Sequence, residues 1–296
     1  MRDAVHGILL LDKPLGLTSA AAVARLKHLY HASKVGHMGS LDPLATGLLA
    51  ICFGEATKFG AHLLEADKTY RVGVRLGERT PSADLETEVC ERAAVPPLSE
   101  AQMREALAGF PRQYQQTPPM HSAIKQGGKP LYSLARAGVT VERLAREVRI
   151  FRLELLSWAS PDLTFDVSVS KGTYIRTLAE DIASRLGTCG HLTALRRLGV
   201  APFDHHPMCT LAELEALAPE ERLRRLLPAD AALADVPRLD VDAGQSAELR
   251  LGRSTPVAAA GLPRVRIYGP GEAFLGLGEV LADGMLAPRR LIAAGD

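Results

Sequence analysis

Residues 36–47 read GHMGSLDPLATG, a stretch that no ordinary helix can run through. Gly36, Gly39 and Gly47 open backbone geometries that residues with a Cβ avoid, and Pro43 locks its own φ while steering Asp42 out of the α region. The segment is therefore expected to be a tight loop presenting one carboxylate, Asp42, at an extended turn. An aspartate before proline is also an ordinary turn starter or helix N-cap. The dipeptide alone does not separate the two roles, but the long Gly- and Pro-bracketed frame makes Asp42 the candidate for chemistry.

Around this loop the pattern predicts an α+β chain. Gly7 to Leu11 reads as a buried strand, and Thr18-Ser19 as the cap of a helix with Val23, Leu26 and Leu29 on its apolar side. Residues Glu55 to Leu64 look helical, and Tyr70, Val72, Val74 and Leu76 alternate as a half-buried strand. Ser99 with Gln102 and Thr210 with Glu213 are capping-box signatures. Strands are expected around Val148 to Leu156 and Leu163 to Val169, followed by a helix from about Thr173 to Leu186. The stretch 117–146 is rich in Pro, Gly, Lys and Arg and suits an arm projecting from the core. Beyond about residue 236, short β-like pieces (Val265 to Tyr268, Ala273 to Leu277, Met285 to Ile292) separated by Gly and Pro suit a small barrel. These shifts divide the chain into a large domain, 1–235, and a small one, 236–296.

The 296 residues, 47% of them hydrophobic, are enough for both cores. Cys52, Cys90, Cys189 and Cys209 are scattered without a C-x-x-C pair, which argues against a metal site or disulfide framework and favours a reducing cytoplasm. No apolar run approaches the roughly 18 residues of a membrane span, so no membrane partner is expected. The net charge of +1 hides an uneven distribution. Residues 1–80 hold 10 Lys/Arg against 7 Asp/Glu, and residues 121–200 hold 12 against 7, whereas residues 201–250 hold 5 against 10. The basic excess sits where the candidate blocks lie. That suits a phosphate-facing surface, although solvated faces also carry excesses of this size.

The loop 36–47 resembles the catalytic loop of the TruB family of tRNA pseudouridine synthases, and further blocks agree in order: GILLLDKPLGLTS (7–19), GEATKF (54–59), KTYRV (68–72), TPPMHSAIKQGGKPLY (117–132) and SKGTYIRTL (170–178), with LRRL (195–198) and APRRL (287–291). The resemblance covers almost the whole chain. It implies a pseudouridine-synthase core with a mixed, mainly antiparallel sheet and flanking helices, residues 117–146 as an inserted RNA-gripping arm, and a C-terminal PUA-like domain. The implied activity is isomerisation of uridine 55 in the T loop of tRNA, without cofactor or metal. The T-arm stem-loop is the expected partner, and the protein is expected to act as a monomer with no obligate protein partner.

Pseudouridine formation breaks a C–N glycosidic bond, turns the uracil and forms a C–C bond at the same sugar, with no net redox change. Such a reaction calls for a nucleophile, and an ionised aspartate can serve. The resemblance makes Asp42 that nucleophile, attacking either sugar or base, and makes Arg176 its partner, expected to hold it bidentately against the upward pKa push of burial. Tyr70 would stack on the uracil and move protons, Tyr174 and Leu195 would line the pocket, and His37 would fill the space the everted uridine leaves. Lys13 and Lys58 are phosphate contacts or structural pairs, and Lys125, Lys129, Arg196 and Arg197 are further candidate RNA contacts. In the small domain, Arg264, Arg266, Arg289 and Arg290 suit RNA contact or plain solvated surface equally. One departure stands out: TPSADLET at 80–87 keeps Asp84 of the family's T-x-T-x-D-x-x-G but lacks its glycine, which puts the geometry of that loop in doubt.

Two other readings compete. A tRNA-folding chaperone would open the same RNA contact without needing the chemistry, and can coexist with it. An aspartyl phosphotransferase would also use a lone aspartate, but Asp42 has no D-x-D partner (residues 40–44 read SLDPL), and the chain shows no obvious Mg²⁺ ligand set or P-loop spacing.

Overall fold

A computed structural model describes residues 4–122 and 125–293, without the side chains of 125, 126, 129, 130, 132 and 136. Strand β1 (Gly7–Lys13) leads to α1 (Ser19–Leu29), whose N-cap Thr18 hydroxyl accepts a hydrogen bond from Ala21 N at 3.1 Å. The stretch expected to be all loop is flanked at both ends by strand: β2 (Val35–Met38) and β3 (Ala45–Phe53) pair antiparallel, leaving residues 39–44 as the loop proper. Residues 55–64 are not one helix but a 3₁₀ turn, Gly54–Lys58, followed by α2 (Gly60–Glu65), with buried Phe59 at the break.

Next come β4 (Lys68–Leu76), the short pair β5 (Glu78–Arg79) and β6 (Glu91–Arg92), α3 (Glu100–Ala108) with the expected Ser99–Gln102 capping box, and β7 (Gln113–Gln116). The arm carries the pair β8 (Lys125–Gln126) and β9 (Lys129–Pro130), then α4 (Leu131–Arg136). The chain returns through β10 (Arg146–Ala159), β11 (Asp162–Val169), α5 (Ile175–Arg185) and β12 (Gly190–Val200), then α6 (Leu211–Ala216) and α7 (Pro219–Leu223).

The large sheet has eight strands in the order β1-β3-β12-β4-β11-β10-β7, with β2 on β3; only β3 and β12 run parallel. This is the expected mixed, mainly antiparallel α+β core. Leu9 and Leu11 of β1 face α1, α3 and α5 together with Val72, Val74 and Val167, while Ile8 and Leu10 face Leu63 and Phe203 on the other side. Each fully buried leucine contributes about 1.5–3 kcal/mol.

The small sheet comprises β13 (Arg238–Asp240), β14 (Thr255–Pro256), β15 (Leu262–Gly269), β16 (Ala273–Val280) and β17 (Met285–Leu291), in the order β13-β15-β16-β17-β14. It curls into a PUA-like half-barrel. α8 (Ala243–Arg250), which Asp242 caps and the sequence reading passed over, packs Leu249 into its core.

The two sheets meet where Phe59 stacks edge-on against Phe274 at 5.3 Å, beside Leu233 and Val236. Lys58 sits at this junction, its ammonium bonded to Leu291 O at 2.9 Å and Glu55 at 2.6 Å, which is the structural one of its two expected readings. Lys58→Met is expected to lower stability by about 1–2 kcal/mol. The salt dependence of tRNA binding should stay unchanged, which urea melts and titrations across a KCl series will show. No helix among the described residues is long and apolar enough to cross a membrane.

Candidate active site

The loop 39–44 is pinned from several directions. Ser19, at the start of α1, accepts from Leu41 N at 2.9 Å and donates to Leu41 O at 3.0 Å through its hydroxyl. Gly16 N bonds Pro43 O at 2.8 Å, and Ala45 N closes back on Asp42 O at 3.0 Å. Arg197 donates to Leu48 O at 2.6 Å and to Gly39 O at 3.0 Å. Gly47 is required here: at φ +92° a Cβ would lie 2.2 Å from Arg197 O of the parallel neighbour β12, in register with it. Leu41 is buried beside Asp42, so the residue next to the carboxylate is clamped into the main core.

This corrects two candidates for RNA contact. Arg197 is only 1% exposed and holds the loop from inside. Lys13 is fully buried and bonds Leu17 O at 2.7 Å and Pro14 O at 3.0 Å. Burial brings the Lys13 pKa down to about 8 against the opposing pull of Asp42, so it stays mostly charged at neutral pH and its field bears on that carboxylate.

Asp42 Oδ2 lies 3.1 Å from Arg176 Nη2. The expected bidentate clamp is absent. Arg176 divides its guanidinium between two carboxylates, with Nη1 at 3.7 Å from Asp84 Oδ2, and also donates to Ser82 O at 3.1 Å and His121 O at 2.5 Å. The physical reason is Asp84, which is 2% exposed and competes for the same cation. The Asp42 pKa is raised, first by desolvation; Arg176 pulls it down, Asp84 and Glu86 push it further up, and Lys13 opposes them. Half of the Asp42 side-chain surface is nonetheless open. Its desolvation comes from the walls around it, and any group that covered the open half would add to the upward push.

Asp84, which the sequence marks only through the altered loop 80–87, is brought to the site by its contact with Arg176. Thr87 stands where the glycine was missed, and its hydroxyl accepts from Ser82 N at 3.1 Å and pairs with Ser82 Oγ at 2.8 Å. Thr80 Oγ1 donates to Asp84 O at 2.6 Å, and Glu86 N to Asp84 Oδ1 at 2.9 Å. Hydroxyls thus hold the turn that delivers Asp84 to Arg176. Strain collects at buried Ala83, which takes φ 60° while its carbonyl accepts from Leu192 N.

Tyr70 is buried on β4, opposite Val167 and Arg197, and shares one apolar cluster with Leu41 and Ile175, the neighbours of Asp42 and Arg176. Leu195 packs against that cluster from β12. Tyr174 is the N-cap residue of α5; the Gln116 side chain accepts from its N–H at 2.8 Å and donates to its carbonyl at 3.2 Å. His37, on β2, has its Nδ1 buried without a partner, and burial together with Arg197 lowers its pKa, so it presents an uncharged ring at neutral pH. Arg196 forms a two-pronged pair with Asp12 at 2.7 and 2.9 Å and keeps part of its side chain exposed. The side chains of Lys125 and Lys129 lie outside the described residues.

Comparison with known proteins gives this arrangement a family. A family model for the TruB family pseudouridylate synthase N-terminal domain matches residues 27–175. Models for the tRNA pseudouridylate synthase B C-terminal domain and for the C-terminal region of pseudouridine synthase II TruB match residues 176–234 and 237–292. The tRNA pseudouridine synthase B of Burkholderia mallei (strain NCTC 10247) is 50% identical over 302 residues, covering 99% of each chain. That of Chromohalobacter salexigens is 49% identical over 291 residues, covering 97% of this chain and 94% of the relative. Among solved structures, a Cbf5-Nop10-Gar1 complex matches in fold with a TM-score of 0.74 at 23% identity, over 97% of this chain and 84% of that one. A glycine-hinged aspartate loop, a half-barrel at the C-terminal end and identity to curated relatives along the full length converge: the chain belongs to the TruB family of tRNA pseudouridine synthases and is an isomerase.

Proposed function

We propose that this enzyme converts uridine 55 in the T loop of tRNA to pseudouridine, with Asp42 as the nucleophile. The observation that carries the reading is the Asp42–Arg176 contact at 3.1 Å on a loop tied to two separate elements of the core. An aspartate with one open half and a buried cation behind it can stay ionised and meet an everted nucleoside. Tyr70 supplies the stacking face and a hydroxyl for proton movement, Tyr174 and Leu195 wall the uracil, and the uncharged His37 ring occupies the gap left in the T loop. Whether Asp42 adds to the sugar or the base, the same carboxylate must leave again after the uracil has turned, so the chain needs no external reductant or oxidant.

The domain division at residue 236 and the gripping role of 117–146 belong to the same reading. The enzyme acts as a monomer in the cytoplasm, with Arg196, Lys125 and Lys129 on the RNA backbone. Incubating the purified protein with an unmodified tRNA transcript and mapping pseudouridine tests it: conversion at position 55 is the expected result, and a transcript with every uracil still N-linked overturns it. A T-arm stem-loop run alongside shows whether the rest of the tRNA is needed.

A further inference from the structure

Arg146 opens β10 at the root of the arm, in register with Gln116 of β7. Its guanidinium carbon stands 4.8 Å from the centre of the Tyr174 ring. Gly172 also stands against it, where a Cβ would sit 3.4 Å from the guanidinium. The side chain is partly buried, and its Nε is sealed from solvent without an acceptor. Later arginines of β10 are partnered, Arg149 with Glu147 and Arg152 with Glu154, but among the described residues no carboxylate pairs with Arg146.

The same shortfall recurs close by. Arg143 reaches Pro118 O at 3.0 Å with Nη1 yet has a buried Nε without an acceptor, and the buried Ser122 hydroxyl is also unmatched. Three polar groups at one arm root thus lack partners, next to His121, whose carbonyl bonds Arg176.

A partly desolvated guanidinium without an anion is costly, and stacking on an aromatic ring offsets only part of the loss. Stacking also fixes the plane of the group, so its outer N–H fork points in one direction, the geometry that suits a phosphate. Gln116 locks the Tyr174 backbone, and Tyr174 lies two residues before Arg176. The fork is therefore held in a set relation to the Asp42–Arg176 pair. We infer that Arg146 binds a backbone phosphate of the substrate RNA beside the target uridine, its place being set by Tyr174; the inference rests on the pseudouridine synthase reading above.

The test measures binding of unmodified tRNA transcript to the full-length protein over a KCl series. Arg146→Gln is expected to weaken binding roughly tenfold and to reduce the slope of log Kd against log salt by about 0.7–0.9, the contribution of one phosphate. Arg146→Lys keeps the charge and should keep the slope, and Arg146→Met serves as a second uncharged variant should the glutamine variant fold poorly. Weaker binding with an unchanged slope would mean that Arg146 only packs Tyr174, and would overturn the inference, as would wild-type binding in both uncharged variants. Pseudouridine yield from the wild-type protein is scored separately, so a failure of the enzymatic reading is seen on its own while the slope still reports the phosphate contact.

Discussion

Asp42→Asn is expected to lower pseudouridine formation by about 10⁴-fold or more, because the amide cannot form the covalent adduct that divides the reaction into two easier steps. Affinity for the transcript should change little, since the substitution keeps the shape of the loop and Leu41, not Asp42, anchors it in the core. Single-turnover assays and binding titrations on the same preparation separate the two, and near-wild-type turnover would remove Asp42 from the mechanism. A chaperone role that needs no chemistry would survive in this variant and is scored by tRNA folding.

The same variant should be more stable than wild type at neutral pH. The folded state raises the Asp42 pKa, so the native protein holds that proton more tightly than the unfolded chain does. The stability Asp42 contributes is then fullest below its unfolded value and declines as pH rises through the folded one. Asparagine never ionises, so its advantage is present at neutral pH and vanishes in acid, which thermal melts at several pH values will reveal. Activity runs the opposite way, falling as Asp42 protonates at a pH above the usual aspartate range.

The second large effect is expected at Arg176. Arg176→Met leaves Asp84 buried without its cation and strips Ser82 O and His121 O of their donor. The loss in stability should be about 3 kcal/mol, in line with other broken buried pairs. Turnover should drop by about 10²–10³, the range for removal of one preorganised electrostatic partner. Because Arg176 pulls the Asp42 pKa down, its removal should also move the acid limb of the pH–rate profile upward. A limb that stays in place would show that something other than Arg176 keeps Asp42 ionised. Arg176→Lys should fall between the two, since an ammonium restores charge but not a fork reaching four acceptors.

Much of the fold was legible one segment at a time. The capped helix starts at Thr18, Ser99 and Thr210 and the alternating strands β4 and β11 appear where local rules place them. Two central strands escaped. β3 is buried on both faces, so ATGLLAICF shows no alternation, and β12 carries bulges between Leu192 and Ala194 and between Arg197 and Gly199 that break the two-residue period. Both lie in the middle of the sheet next to the site, where neighbours on both sides, not solvent, choose the side chains.

Glycines, prolines and caps state backbone requirements within a few residues, which is why the aspartate loop, its frame and the family likeness could be read from order alone. What a cation touches is another matter. Arg197 reads like Arg196 in the string, yet one is sealed under the loop and the other pairs with Asp12 at the surface. Arg176 meets Asp42 and Asp84 from across more than ninety positions, and its sharing between them follows from which carboxylate loses its water. Desolvation is set by every neighbour at once, so the choice among partners for a buried charge emerges only when the sheet and α5 have closed around it.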